Sequence, residues 1–499
     1  MYFRKAAPLT AVLALATSPA FAVTPEEVWA DWQTLITNYG ATLEIGAESR
    51  SGETLTVTDV TVSTEMPDGA FDMELGTLTF TNIGDGAVRI GMAETVPMQI
   101  DVVTEDGDEA SVGMVLRQSG ATMTASGPRE TLRYDFDYPL MSVGEFTMTG
   151  PEMPEDFPIT MDMRLTEMSG YVALGDGEPR SYESRSTLAG FDMDVRFSDE
   201  SGNGEGSGFF ALSMADLDQT TIGTMAPIEA GATLAEMIAS GTRQTGTATH
   251  GPVTYTVSFD GPDGSFEMAA AAERGNIEGA LDENGINYGG NTYNTTITVG
   301  GSQFPLPPLT FRLAESGGVF RMPLVPGEEP QDFALVMRLV GLEIDDMLWS
   351  LFDPMGAISR DPATLVIDLG GSAMLTEDIT APDYADSDTP EVPGELESLD
   401  INALELSIAG ARLTGDGAFE FDNSGDTPQP VGKANLALTG ANQLIDTLVS
   451  MGLLPEEQAM AGRMMLGLFA RPDGDDSYVS EIEVTEDGQV LANGGALPF

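Results

Sequence analysis

Few residues in this 499-residue sequence have the type and spacing that chemistry needs. The one histidine, His250, lies in "TGTATHGPVTYTV" beside a Gly-Pro turn. A Ser-His-Asp triad would have to use it as the base. No serine sits in a G-x-S-x-G turn, so His250 reads as a turn or surface residue. With one histidine and no cysteine, a standard zinc site lacks ligands. The acid groups "PDGDDS" (Asp473, Asp475, Asp476) and "YADSDT" (Asp386, Asp388) are the best local candidates for calcium. Neither has the spaced ligands and closing glutamate of a twelve-residue calcium loop. Among 80 acids such groupings arise by chance, and the same abundance defeats a paired-carboxylate glycosidase argument. No G-x-x-x-x-G-K-[ST] loop occurs, and "GNGEGSG" has no following helix to hold phosphate. The expectation is a non-enzymatic protein with no catalytic residue, cofactor or metal.

The unusual feature is apolar. In "ITMDMRLTEM", residues 159–168, strand alternation puts Ile159, Met161, Met163 and Leu165 on one face, with Thr160, Asp162, Arg164 and Thr166 on the other. Met73, Met98, Met114 and Met193 fall on apolar strand faces in the same way, within a total of 27 methionines. Methionine fills irregular gaps and adapts to what it touches. Such a face is either a soft internal core or a groove for a flexible apolar ligand such as an acyl chain. Ile159, Met161, Met163 and Leu165 are the candidate ligand face.

These faces need a frame. From residue 53 the hydrophobic period is two, in segments such as "ETLTVTDV", "FDMELGTLTF", "TLRYDFDY", "VTYTVSFDG", "FALVMRLVG" and "ATLVIDL". Short connections carrying Asp-Gly, among them "EDGDE", favour antiparallel hairpins, and "DENG" is another short turn of this kind. The expected fold is mainly β: a long, curled antiparallel sheet, with a few amphipathic helices covering part of one face. "TPEEVWADWQTLITNYG" carries a capping box, Thr24 with Glu27, and an apolar stripe from Val28 to Tyr39. Further helices are expected at "ATLAEMIASG", at about 342–353, and as a hairpin over 441–469 broken at Gly452. Residues 199–208 and 376–398 read as exposed loops, the second acidic and proline-rich.

Residues 1–22 read as an export signal: Arg4 and Lys5, the apolar "PLTAVLALA", then Ala20-Phe21-Ala22 with cleavage after Ala22. No later segment approaches the length of a membrane-spanning helix. The expectation is a mature chain, 23–499, forming one elongated body in a bacterial periplasm. Net charge is −59, and removing the signal takes away two basic residues and no acid. That field argues against nucleic acid, which needs basic surface, and against electrostatic docking on an anionic membrane. It suits an acidic shell that keeps a β-rich protein soluble. Without cysteine there is no disulfide framework, so stability must come from burial.

The C-terminal third combines "LWSLFDPMGAISRDPATLVIDLGGSAML", "LELSIAGARLTGDGAFEFDN", "PVGKANLALTGANQLIDTLVSMGLLPEE" and "VSEIEVTEDGQVLANGGALPF". Over roughly 330–499 it resembles an alphaproteobacterial exported family, domain of unknown function 2125. More distantly it is similar in style to AsmA-like envelope proteins. The first resemblance implies an envelope location and supplies no catalytic residues. The second implies a long sheet whose apolar concave face handles lipid, although this sequence lacks that group's N-terminal membrane anchor. Two expectations follow. One is a periplasmic protein of envelope homeostasis that binds lipid or another apolar ligand, with an envelope protein as its partner. The other is a structural or interaction module whose sheet is fully self-buried.

Overall fold

The computed structural model describes residues 23–497 except 39, 67–68, 104–108, 151–158, 200–205, 229–231, 305, 382–383, 385–392 and 426. The export signal, the Ala22 cleavage site, Asp386 and Asp388 lie outside the described residues.

The period-two segments form 27 strands of one sheet, and every pairing between them is antiparallel. Most strands pair with their neighbours in sequence, joined by tight turns. "DENG" is one of them: Gly285 has φ +93°, and a Cβ there would meet the Met322 carbonyl oxygen at 2.1 Å. Only glycine fits. A twisted open sheet of this width has to curl. The loop expected at 199–208 is shorter than that span, because the strands Arg180–Asp199 and Gly206–Met225 pair up to their ends, Asp199 with Gly206.

Several long strands carry a residue at positive φ near their middle: Glu145 at 55°, Glu167 at 52°, Asp216 at 53° and Asn294 at 54°. These are bulge conformations, which break the side-chain alternation. In the strand Ile159–Leu174 the apolar set runs through Leu165 and resumes at Met168. In Gly206–Met225 it runs through Met214 and resumes at Leu217. Each bulge therefore keeps the apolar residues of a long strand on one face of the sheet.

Five helices are present among the described residues: α1 (Pro25–Asn38), α2 (Leu234–Ala239), α3 (Asp346–Phe352), α4 (Ala441–Ser450) and α5 (Glu456–Phe469). The capping box of α1 is formed: Thr24 Oγ1 accepts from Glu27 N at 3.2 Å, and Glu27 Oε2 accepts from Thr24 N at 2.9 Å. Val28 and Trp29 are buried in a cluster with Leu55, Val57, Leu78, Phe80, Val88, Ile90, Leu132, Tyr134 and Leu174. Trp29 and Trp32 pack on Phe80, ring centroids 5.5 and 5.7 Å apart. Trp29 Nε1 finds its acceptor in Glu48, at 2.7 Å.

Two helical expectations need correction. The helix expected at 342–353 starts only at Asp346, because Leu342–Ile344 extends the strand Gln331–Ile344 and Ile344 pairs with Phe311. Asp345 then caps the helix, its Oδ1 accepting from Met347 N at 2.8 Å. The hairpin over 441–469 is present, but its second arm is only partly a cover. In α5 only Ala459 is buried, while Met460 is 71% and Met464 70% exposed.

Candidate apolar groove

Residues paired across antiparallel strands point to the same face, so the register follows one face across the whole sheet. One row runs Val88, Ala125, Tyr134, Val172, Ser184, Thr221, Gly246, Gly279, Tyr288, Phe320, Leu335, Leu369, Ile401, Gly417, Ala434, Ile482 and Ala492. Seventeen consecutive partners include no Asp, Glu, Lys or Arg. Exposure along the row is far from uniform. Val88, Ala125, Tyr134 and Thr221 are buried at one end, as are Ala434 and Ala492 at the other. Between them Tyr288 is 54%, Phe320 43% and Leu335 49% exposed.

Helices account for the two ends. The α1 stripe lies on the first strands. At the far end the last residue of α5 reaches the sheet, where Ser480 Oγ donates to the Phe469 carbonyl at 2.5 Å. Ser480 belongs to the neighbouring row of the same face, paired with Leu436, and is itself buried. The middle is left bare.

Two adjoining cavities mark that span. One, of about 460 Å³, is lined by Ala248, Ile277, Gly279, Leu281, Tyr288 and Leu234 of α2, among others. The other, of about 490 Å³, adds His250, Phe320 and Leu335. No Asp, Glu, Lys or Arg lines either. Gly246 and Gly279 put no side chain between Thr221 and Tyr288, which opens the floor beside the tyrosine ring.

The candidate face at 159–165 sits on the other half of the same strands. Met163 belongs to a row of Leu116, Val143, Met163, Met193, Leu212, Tyr255, Ala270, Ile297, Phe311 and Ile344. Ile159, Met161, Met163 and Leu165 are all half-buried, whereas Thr160, Asp162 and Arg164 are exposed. They line a partly open apolar surface and are not the most exposed part of it. At its rim Phe197 and Phe259 stack with ring centroids 6.3 Å apart. Gly208 lies between them, and a Cβ there would meet the Phe197 ring at 1.9 Å.

The remaining chemistry-bearing residues have structural partners. His250 Nδ1 is 2.8 Å from the Gly251 carbonyl, so that nitrogen carries the proton, and its Nε2 lies over Gly275. Of the C-terminal acids, Asp476 accepts from Asn442 N and Gln443 N, both at 3.0 Å. It caps α4 from a distance, where Gly440 at the start of the helix has no side chain to do so. Burial opposes ionisation of Asp476 most strongly, but the two backbone donors, the Asn442 side chain and the Arg463 charge together outweigh it and hold its carboxyl below the usual carboxylate range. No group of three metal-ligating side chains occurs among the described residues. The charged pair inside the closed end is also structural: Arg180 meets Asp31 of α1 at 2.6 Å, and Tyr134 donates to the other Asp31 oxygen at 2.6 Å. Burial, reinforced by the Asp31 charge, pushes the Tyr134 phenol far above its ordinary value.

Tyr288, Phe320, Leu335 and Met337 were not singled out by sequence reasoning. Their segments alternate as any half-buried strand does, and alternation does not tell which strands a helix leaves uncovered. The glycines opposite them, Gly279, Gly290 and Gly318, are the signal that could have pointed there.

No helix among the described residues is long and apolar enough to cross a membrane. No curated protein matches the chain. Residues 242–494, just over half of the chain, match the model of a family described as an uncharacterized protein conserved in bacteria, DUF2125. The match begins well before residue 330, at the strand Arg243–His250, and leaves α1 and its core outside. The chain belongs to the DUF2125 family.

Proposed function

We propose that this protein is a non-enzymatic carrier of lipid or another long apolar ligand, exported to the periplasm and serving envelope homeostasis. The ligand lies along the uncovered part of the sheet's apolar face. The observation that carries the reading is the row from Val88 to Ala492, sealed at both ends and 43–54% exposed at Tyr288, Phe320 and Leu335. A contiguous exposed apolar strip on a soluble protein marks a surface for a ligand, a partner or a lid. An acyl chain laid across the strands would cover it, crossing one strand every ~4.8 Å. The half-buried methionine row through Met163 would extend the same surface, with side chains that adapt to a flexible ligand. The likeness in style to AsmA-like proteins points the same way.

Uncharged, environment-sensitive Nile red tests the reading. It should bind the purified mature protein saturably. Leu335→Asp and Phe320→Asp, placed at exposed positions, should abolish binding without lowering the unfolding temperature. Absence of saturable binding by the wild-type protein would refute it.

One observation favours a second reading, an interaction module. Met460, Met464, Met465 and Leu468 form an exposed apolar stripe along α5, at 50–71% exposure. If α5 is the working surface, Met464→Asp abolishes function while Leu335→Asp does not.

A further inference from the structure

We infer that the groove takes lipids whose headgroup carries no net charge and turns anionic lipids away. The inference rests on the carrier reading above and adds the ligand class to it. Two independent features carry it. First, neither cavity of the bare span is lined by Lys or Arg, so no guanidinium or ammonium there offsets the charge of a phosphate or carboxylate. Nearby basic groups are already engaged: Arg243 pairs with Glu283 at 2.6 Å, and Arg338 with Asp368 at 4.0 Å. Arg321 makes no ion pair among the described residues. However, it is adjacent in sequence to Phe320 and pairs with Ala334, placing it on the opposite face. His250, which lines the second cavity, is held through Nδ1 by the Gly251 carbonyl.

Second, the surroundings repel anions. The chain carries a net charge of −59. An anionic headgroup would therefore meet a repulsive potential at the mouth with no cation inside to offset it. A zwitterionic or uncharged head meets neither penalty, and the acyl chain gains the same apolar burial in both cases. The groove thus discriminates by exclusion, with charge set against the competing ligand.

The test is displacement of bound Nile red from the mature protein at pH 8. The competitors are oleoyl lysophosphatidylcholine and oleoyl lysophosphatidylglycerol, identical in chain and different in charge. A surface potential of a few kT predicts about tenfold weaker displacement by the anionic lipid. That gap should narrow on going from ~0.02 to ~0.5 M salt, as screening shortens to a few ångströms. Equal or tighter displacement by lysophosphatidylglycerol in the wild type would overturn the inference while leaving the carrier reading intact. Bound dye that neither lipid displaces would overturn it as well. Failure of the dye itself to bind would remove the carrier reading and the inference with it.

Discussion

The two ends of one row of side chains behave as different materials. Around α1, Val88, Ala125 and Tyr134 are as buried as the core of any domain. Nine partners along the same face, Phe320 and Leu335 stand almost half in water. Strand type, pairing and face are the same in both places. What differs is a fourteen-residue helix: α1 brings Val28, Trp29 and Trp32 onto Phe80, and among the described residues no helix of that length lies over Tyr288, Phe320 and Leu335. Burial in this sheet is supplied by whatever is laid on it.

The largest effects should fall at the closed end. Val28→Asp puts a charge at a fully buried position and should cost more than ~4 kcal/mol, enough to unfold the closed end in a denaturant titration. Asp31→Ala leaves Arg180 without its partner, with both side chains about 15% exposed, and should cost about 3–5 kcal/mol. If either variant unfolds like the wild type, α1 is not the seal described above.

The far end should be softer. Leu448, on the half-buried stripe of α4, should cost about 1–3 kcal/mol as Leu448→Asp, measured by thermal unfolding. Asp476→Asn, weakening the remote cap of α4, should cost about 1 kcal/mol at neutral pH. The sign of its pH dependence follows from the depressed folded-state value. The stabilisation is present above the unfolded pKa of about 3.9 and is lost as pH falls through the lower folded value. Acid titration of the wild type and of Asp476→Asn should therefore converge below that point; parallel curves throughout would show that the cap is not electrostatic.

Much of this frame was legible in the sequence because the signals are local. The capping box at Thr24 and Glu27, the "DENG" turn and the period-two runs each specify their element through neighbours a few residues away. The helix at Asp346 started late because Ile344 gains a partner, Phe311, that lies far off in sequence. Asp476 looked like part of an acid cluster because the backbone N–H it caps, that of Asn442, lies 34 residues earlier in the chain. Ile159, Met161, Met163 and Leu165 were readable as one face. That Tyr288 and Leu335 are the barer part of that face was not, since it depends on where the helices stop.

Because the chain has no cysteine of its own, single-cysteine labelling measures the contrast between the two regions most directly. Leu335→Cys and Val57→Cys would each be treated with a water-soluble maleimide, with and without monoolein. The account predicts rapid labelling at 335, strong protection there by the lipid, and little labelling at the buried position 57 in either condition. Labelling at 335 that is equally fast with saturating lipid, or already absent without it, would contradict the claim that the bare span is an open apolar site.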